Sequence, residues 1–255
     1  MNAVERVCRS HARRVAALGC VAGAYVVAAP PRISQAERES LAARYSFRAV
    51  AIAAPGADRA RSIRDVHPDY RRIDGWISSV GAGVALGDFD GDDVDNDVCL
   101  VDPRAVHPVI MPAPGTGQRY QPLELVPPDG VERPETIAPM GCLFADLDED
   151  GALDALVYYW GRPPAGYLQR AGRLVAFDIA SGQRWFSNAG IVADVDGDGH
   201  LDVVIGNYFP DGSRVLDATA HDSAVMQDSM SRAYNGGDTH FLLMRGVRGD
   251  RVEYR

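Results

Sequence analysis

From Trp76 onward, short apolar runs alternate with acidic, glycine-rich turns, and three of these units can be laid over one another. The first runs through Val84-Ala85-Leu86-Gly87 into Asp88, Asp90 and Asp92, and leaves by Val98-Cys99-Leu100-Val101. The second runs through Cys142-Leu143-Phe144-Ala145 into Asp146, Asp148, Asp150 and Asp154, and leaves by Ala155-Leu156-Val157-Tyr158. The third runs through Gly190-Ile191-Val192-Ala193 into Asp194, Asp196, Asp198 and Asp202, and leaves by Val203-Val204-Ile205. A small residue precedes the first aspartate each time. The first aspartates, Asp88, Asp146 and Asp194, are 58 and then 48 residues apart. Strand, loop and strand recurring at about 50 residues is the pattern of a repeat array.

The same pattern predicts further strands near 107–112, 165–178 and 239–244. Ser34-Gln35-Ala36-Glu37 has capping-box spacing and predicts a short helix to about Arg44. Residues 53–75 mix Pro, Gly, Arg and Asp without periodicity and read as an irregular arm. A helical stretch is expected over 222–232, where Val225, Met226 and Met230 share a face. With 26 glycines and 16 prolines punctuating short strands, the fold class is all-β.

Net charge changes the picture by exclusion. At −9 the chain lacks the basic face that a nucleic-acid partner requires. All 26 basic residues are arginine, which reads as coding bias rather than mechanism.

The N-terminus reads as an export signal. Arg6, Arg9, Arg13 and Arg14 precede an apolar run from Val15 to Ala29, which Pro30-Pro31 ends. A basic start and a run shorter than the ~20 residues of a spanning helix suit a signal peptide. Ala22-Gly23-Ala24 offers a cleavage site after a short apolar stretch, so an uncleaved membrane anchor stays open, as does a buried N-terminal helix. The organisation is therefore 1–29 signal peptide or anchor, 30–75 helix and linker arm, and 76–255 repeats. Secretion or display at the cell surface follows. Cys99 and Cys142 lie outside the export segment, where they either pair or remain two buried thiols.

The acidic loops carry the candidate chemistry. Calcium takes six to eight oxygen ligands, and aspartates at positions 1, 3, 5 and 9, with glycine at 6 for the turn, supply them. Loops two and three meet this pattern fully. Loop one has Asp93 in place of the glycine and Asn96 at position 9, followed by Asp97, so strain and weaker binding are expected there. Crowding so many carboxylates costs stability unless a cation neutralises them. Position 12 falls on Cys99, Val157 and Ile205, within apolar exits, which excludes EF-hand loops and their glutamate.

On the lead-in Gly81-Ala82-Gly83-Val84-Ala85-Leu86-Gly87 and the three aspartate loops, the chain resembles the FG-GAP, or VCBS, repeat family over about residues 76–206. Asn235-Gly236-Gly237-Asp238 followed by Thr239-His240-Phe241 is similar to the opening of another such repeat. The layout also resembles exported bacterial proteins of the ASPIC/UnbV, cartilage-acidic-protein-like group, although no separate ASPIC domain is present. The family implies a β-propeller of four-stranded blades with calcium loops at one rim. Three clear loops and a partial fourth unit fall short of a closed ring, so a truncated propeller or an open arc is expected.

Catalytic signatures are absent: His67, His107, His200, His221 and His240 are scattered, without a metalloprotease motif or nucleophile elbow. The expected function is a non-enzymatic, calcium-binding extracellular module for protein interaction or adhesion. The alternative is a secreted, lectin-like carbohydrate-binding protein, and a polysaccharide-active enzyme ranks third. Its partner would be a protein or glycan ligand at the cell surface. Tyr158-Tyr159-Trp160, Trp185-Phe186 and Tyr208-Phe209 could face a sugar but are expected to pack into the core.

Overall fold

The computed structural model describes residues 3–28, 33–52, 63–102, 105–128, 134–226 and 236–255. The chain divides into two compact units, Met1–Val50 and Ala51–Arg255. The first unit holds α1 (Ala3–Ala28) and α2 (Gln35–Ala42). The described side chains of α1 are all exposed, unlike those of a buried helix. Among the described residues, no helix is long and apolar enough to cross a membrane. The capping box that starts α2 is formed: Glu37 N–H donates to Ser34 Oγ, and Ser34 N–H donates to Glu37 Oε2 at 2.7 Å.

The second unit is mostly β-strand, in four antiparallel sheets. Its first sheet is a meander of β1 (Gly83–Gly87), β2 (Asp97–Val101), β3 (Val109–Pro112) and β4 (Leu123–Glu124). A second meander follows, with β5 (Ala138–Ala145), β6 (Asp154–Trp160), β7 (Ala165–Arg170) and β8 (Arg173–Asp178). The third sheet pairs β10 (Asp202–Asn207) with β9 (Ser187–Ala193) and β11 (Thr239–Leu242). A two-stranded sheet of β12 (Met244–Val247) and β13 (Val252–Tyr254) adjoins it. Only Leu243 separates β11 from β12, and its N–H and C=O both pair with Arg255. Among the described residues these sheets show no closed propeller.

First strands of successive sheets lie side by side, with β5 between β1 and β9. Glycine makes this approach feasible: a Cβ on Gly83 would stand 3.0 Å from the Gly141 Cα. Between the first two sheets, Phe89, Ile110, Leu125, Val157 and Tyr167 form one core cluster. Cys99 on β2 and Cys142 on β5 pair within it, with Cα atoms 6.2 Å apart, so the pairing that the sequence left open is made. Between the second and third sheets, Leu156, Leu168, Trp185, Val203 and Ile205 form another.

The stretch expected to be irregular carries helical structure in its described part. A 3-10 helix spans Pro68–Ile73 and α3 spans Asp74–Ser79. His67 Nδ1 accepts from the Asp69 N–H, and Pro68 opens the turn with its φ already set. Val66, Tyr70 and Ile77 are thereby buried against Trp160, Phe186, Phe209 and Leu216. Residues 53–62 of that stretch lie outside the described residues. Of the helix expected over 222–232, residues 222–226 are not helical and 227–232 lie outside the description. Tyr159, Trp160, Trp185, Phe186 and Phe209 are buried as core aromatics.

Candidate metal centre

Each acidic loop closes the hairpin between the first two strands of its sheet. The register is the same in all three: the small residue before the first aspartate pairs with the last aspartate. Those pairs are Gly87 with Asp97, Ala145 with Asp154, and Ala193 with Asp202. Asp97 therefore fills in loop one the place that Asp154 and Asp202 fill in the others, which corrects the assignment of that place to Asn96. Loop one is one residue longer, and the extra residue displaces its register.

The three carboxylates at the loop ends are fully buried, and they hold the turn from below. Asp97 Oδ2 accepts from Phe89 N–H at 2.8 Å, Asp154 Oδ2 from Leu147 N–H at 2.9 Å, and Asp202 Oδ2 from Val195 N–H at 3.0 Å. The other oxygen ties two of them to a later strand. Asp154 Oδ1 accepts from Gln169 N–H and Asp202 Oδ1 from Met244 N–H. Burial, with Asp148 and Asp150 adding repulsion against these hydrogen bonds, pushes the Asp154 carboxyl up to about 7.

The first aspartate of each loop accepts from backbone N–H groups of the turn. Asp88 takes those of Asp92 and Asp93, Asp146 those of Asp150 and Gly151, and Asp194 those of Gly197 and Gly199. The fifth position repeats too, with Asp92, Asp150 and Asp198 accepting from Val94, Ala152 and His200 N–H. This winding needs left-handed backbone at positions 4 and 6 alike. Gly91 and Asp93, Glu149 and Gly151, and Gly197 and Gly199 all have positive φ. Asp93 sits at φ 66° and Glu149 at 60°, where glycine is at ease and other residues are strained.

The loops bring carboxylate oxygens together in three groups: Asp88, Asp90 and Asp92; Asp146, Asp148 and Asp154; and Asp194, Asp196 and Asp202. Within each group the ligand atoms lie within 4.8 Å of one another, a spacing at which one cation can be held. Asp150, Asp198 and Asp97 fall outside these groups, although the sequence placed them among the ligands, as it did Asn96. An all-oxygen donor set suits a hard cation. Loop two adds an observation of its own. Asp148 is nine-tenths buried, and its Oδ1 has no hydrogen-bond partner. A buried carboxylate oxygen left unpaired is costly, and a cation among these groups would satisfy it.

Arginines that the sequence reading missed stand at the same carboxylates. Arg119 reaches Asp90, Asp92, Asn96 and Asp97, and Arg170 reaches Asp148 and Asp150. Arg255 Nη2 lies 3.6 Å from Asp196, a looser contact. No spacing rule in the sequence links these arginines to the loops, because they arrive from later parts of the chain. Loops two and three also touch: Glu149 Oε2 lies 3.0 Å from His200 Nδ1 and raises that imidazole's pKa.

Fold and site define an antiparallel all-β protein with carboxylate groups spaced to hold a metal ion. The chain matches no protein-family model and no curated protein.

Proposed function

We propose that this chain is an exported, calcium-binding β-repeat module that serves protein interaction or adhesion at the cell surface. The observation that carries the metal reading is Asp148, buried with an unpaired oxygen beside Asp146 and Asp154. When bound, calcium would supply the positive charge that three converging carboxylates lack. Asp146 and Asp194 shape the turns through their backbone hydrogen bonds, while Asp154 and Asp202 anchor those turns to the sheet.

The FG-GAP or VCBS resemblance belongs to the same proposal. It is supported by the shared hairpin register of the three loops and by first strands lying side by side, as blades around an axis would. Export is supported by the basic and apolar N-terminus and by the Cys99–Cys142 disulfide, since such bonds persist in oxidising compartments.

Isothermal titration of chelator-treated full-length chain with calcium chloride, and separately with magnesium chloride, tests the reading. Saturable calcium binding that weakens in Asp148→Asn is expected. Absence of calcium binding by the folded chain would overturn it.

A further inference from the structure

At the strand ends opposite the acidic loops, a cavity of about 620 Å³ opens among Arg162, Gln183, Arg184, Phe186, Arg214 and Asp217. The loops and the cavity are separated by the length of β6, which begins at Asp154 and ends at Trp160, about 20 Å at the rise of a strand. The volume is that of a small-molecule site. We propose that this cavity binds a small organic carboxylate, as carried by an acidic sugar or by an acidic side chain.

Its charge sets it apart from the rest of the molecule. On a chain of net charge −9, three arginines line one cavity, against the aspartates Asp178 and Asp217. Arg162 is paired with Asp178, and Arg214 with Asp217 and Asp222, so among the described residues lining the cavity Arg184 carries the one unpaired positive charge. That matches a single carboxylate, and it disfavours a doubly charged phosphate, which two lining aspartates would repel.

Two of the arginines have donors to spare. Arg162 is nine-tenths buried; it donates through Nη2 to Asp178 and through Nε to the Pro163 carbonyl, while its Nη1 has no hydrogen-bond partner. Its guanidinium lies 5.2 Å from the Tyr159 ring centroid, so its plane is fixed before any ligand arrives. A buried guanidinium N–H without an acceptor is a costly orphan, and a carboxylate oxygen that reached it would satisfy it. Arg184 is exposed, makes no ion pair among the described residues, and reaches only the Ser213 carbonyl at 3.5 Å. Arg214 is engaged by Asp217 and Asp222 and closes the side without being free to bind. Phe186 and Leu216 give the ligand body an apolar wall. Gln183 adds an amide within a loop that turns at Gly182, where φ is 79°.

The site is independent of the acidic loops, so its test separates the two. Full-length chain in calcium buffer would be titrated with sodium D-glucuronate, sodium propionate, neutral D-glucose and inorganic phosphate, with binding followed by ligand-observed NMR. We expect glucuronate or propionate to bind, with the tighter of the two telling an acidic sugar from an acidic side chain, and glucose and phosphate to bind much more weakly. Arg184→Gln removes one charged hydrogen bond without disturbing a buried contact, and should weaken carboxylate binding roughly tenfold. Asp148→Asn should leave it unchanged. Equal binding of glucose, tighter binding of phosphate, no carboxylate binding, or indifference to Arg184→Gln would each overturn the proposal. So would loss of carboxylate binding in Asp148→Asn alone, because the carboxylate would then sit on a cation in loop two.

Discussion

Arg170 lies against Asp148, the one loop aspartate that is buried with an oxygen unpaired. Its Nη2 donates to Asp148 Oδ2, and its Nη1 donates to Asp150 Oδ2 at 2.9 Å. A tethered guanidinium thus covers part of the charge that a metal ion would cover. The two cations compete for one carboxylate, and Arg170, anchored at the end of β7, is the weaker competitor for a hard oxygen cluster because it cannot enter among the ligands.

Arg170→Gln should therefore split two properties that usually move together. Without the guanidinium, the metal-free protein loses a partly buried, charge-assisted contact worth about 1–3 kcal/mol, and its melting temperature falls. Calcium affinity should rise several-fold, because no internal cation has to be displaced. Melts in chelator and calorimetric titration of the same variant check both halves. A variant weakened in calcium binding would show that Arg170 supports the site rather than competes for it.

Metal removal gives the broadest prediction. At ~1 mM calcium and a dissociation constant of ~0.1 mM, each occupied site adds about 1.4 kcal/mol of stability. Three loops acting alike should raise the melting temperature clearly between chelator and calcium. The contribution of loop three should resist Arg119 and Arg170 substitutions, since among the described arginines Arg255 is the one that approaches it, at 3.6 Å. An unchanged melt in a folded sample would leave the loops as acidic turns tied by their own hydrogen bonds.

The Cys99–Cys142 disulfide closes a loop of 43 residues between the first and second sheets. Chain entropy assigns such a closure about 4 kcal/mol, and real losses run near 2–5. Replacing both cysteines with serine should lower stability by that order in urea melts, and the effect should persist at saturating calcium. A loss below about 1 kcal/mol would mean that contacts across the same core, such as the Tyr167 hydroxyl donating to the Leu125 carbonyl, already hold the two sheets together.

The strand, loop and strand setting of the aspartates was legible because apolar runs flank each acidic turn. The strands expected near 107–112, 165–178 and 239–244 were legible for the same reason, through apolar runs between glycine turns. What escaped depends on contacts distant in sequence. Asn96 occupies the ninth position of loop one by counting, but pairing of Gly87 with Asp97 decides the register. Left-handed backbone at Glu149 was invisible because a glutamate there signals nothing. Arg119 and Arg170 meet the loop carboxylates, and Arg162 meets Asp178, only once segments apart in sequence are laid together. The short helices over 68–79 lack the length to show a period, and their burial rests on Val66, Tyr70 and Ile77 meeting aromatics beyond residue 160.

Gly161 joins the fold to the cavity and gives a test of both. Its φ is 91°, and a Cβ there would fall 2.1 Å from the Thr136 carbonyl oxygen, a backbone atom that cannot swing aside. Gly182, across the same cavity, has a φ of 79° with nothing within 4 Å of its Cβ position. Alanine at either residue bears the left-handed strain, about 1 kcal/mol, but only Gly161→Ala adds a backbone clash. Its N–H also donates to the Trp185 carbonyl at 2.7 Å, so a shift to relieve the clash would break the link between the second and third sheets. Urea melts should show Gly182→Ala losing about 1 kcal/mol and Gly161→Ala losing at least twice that. Equal losses would mean that the 134–137 segment yields to the new methyl group, and the wall of the cavity would then be softer than the geometry of Gly161 requires.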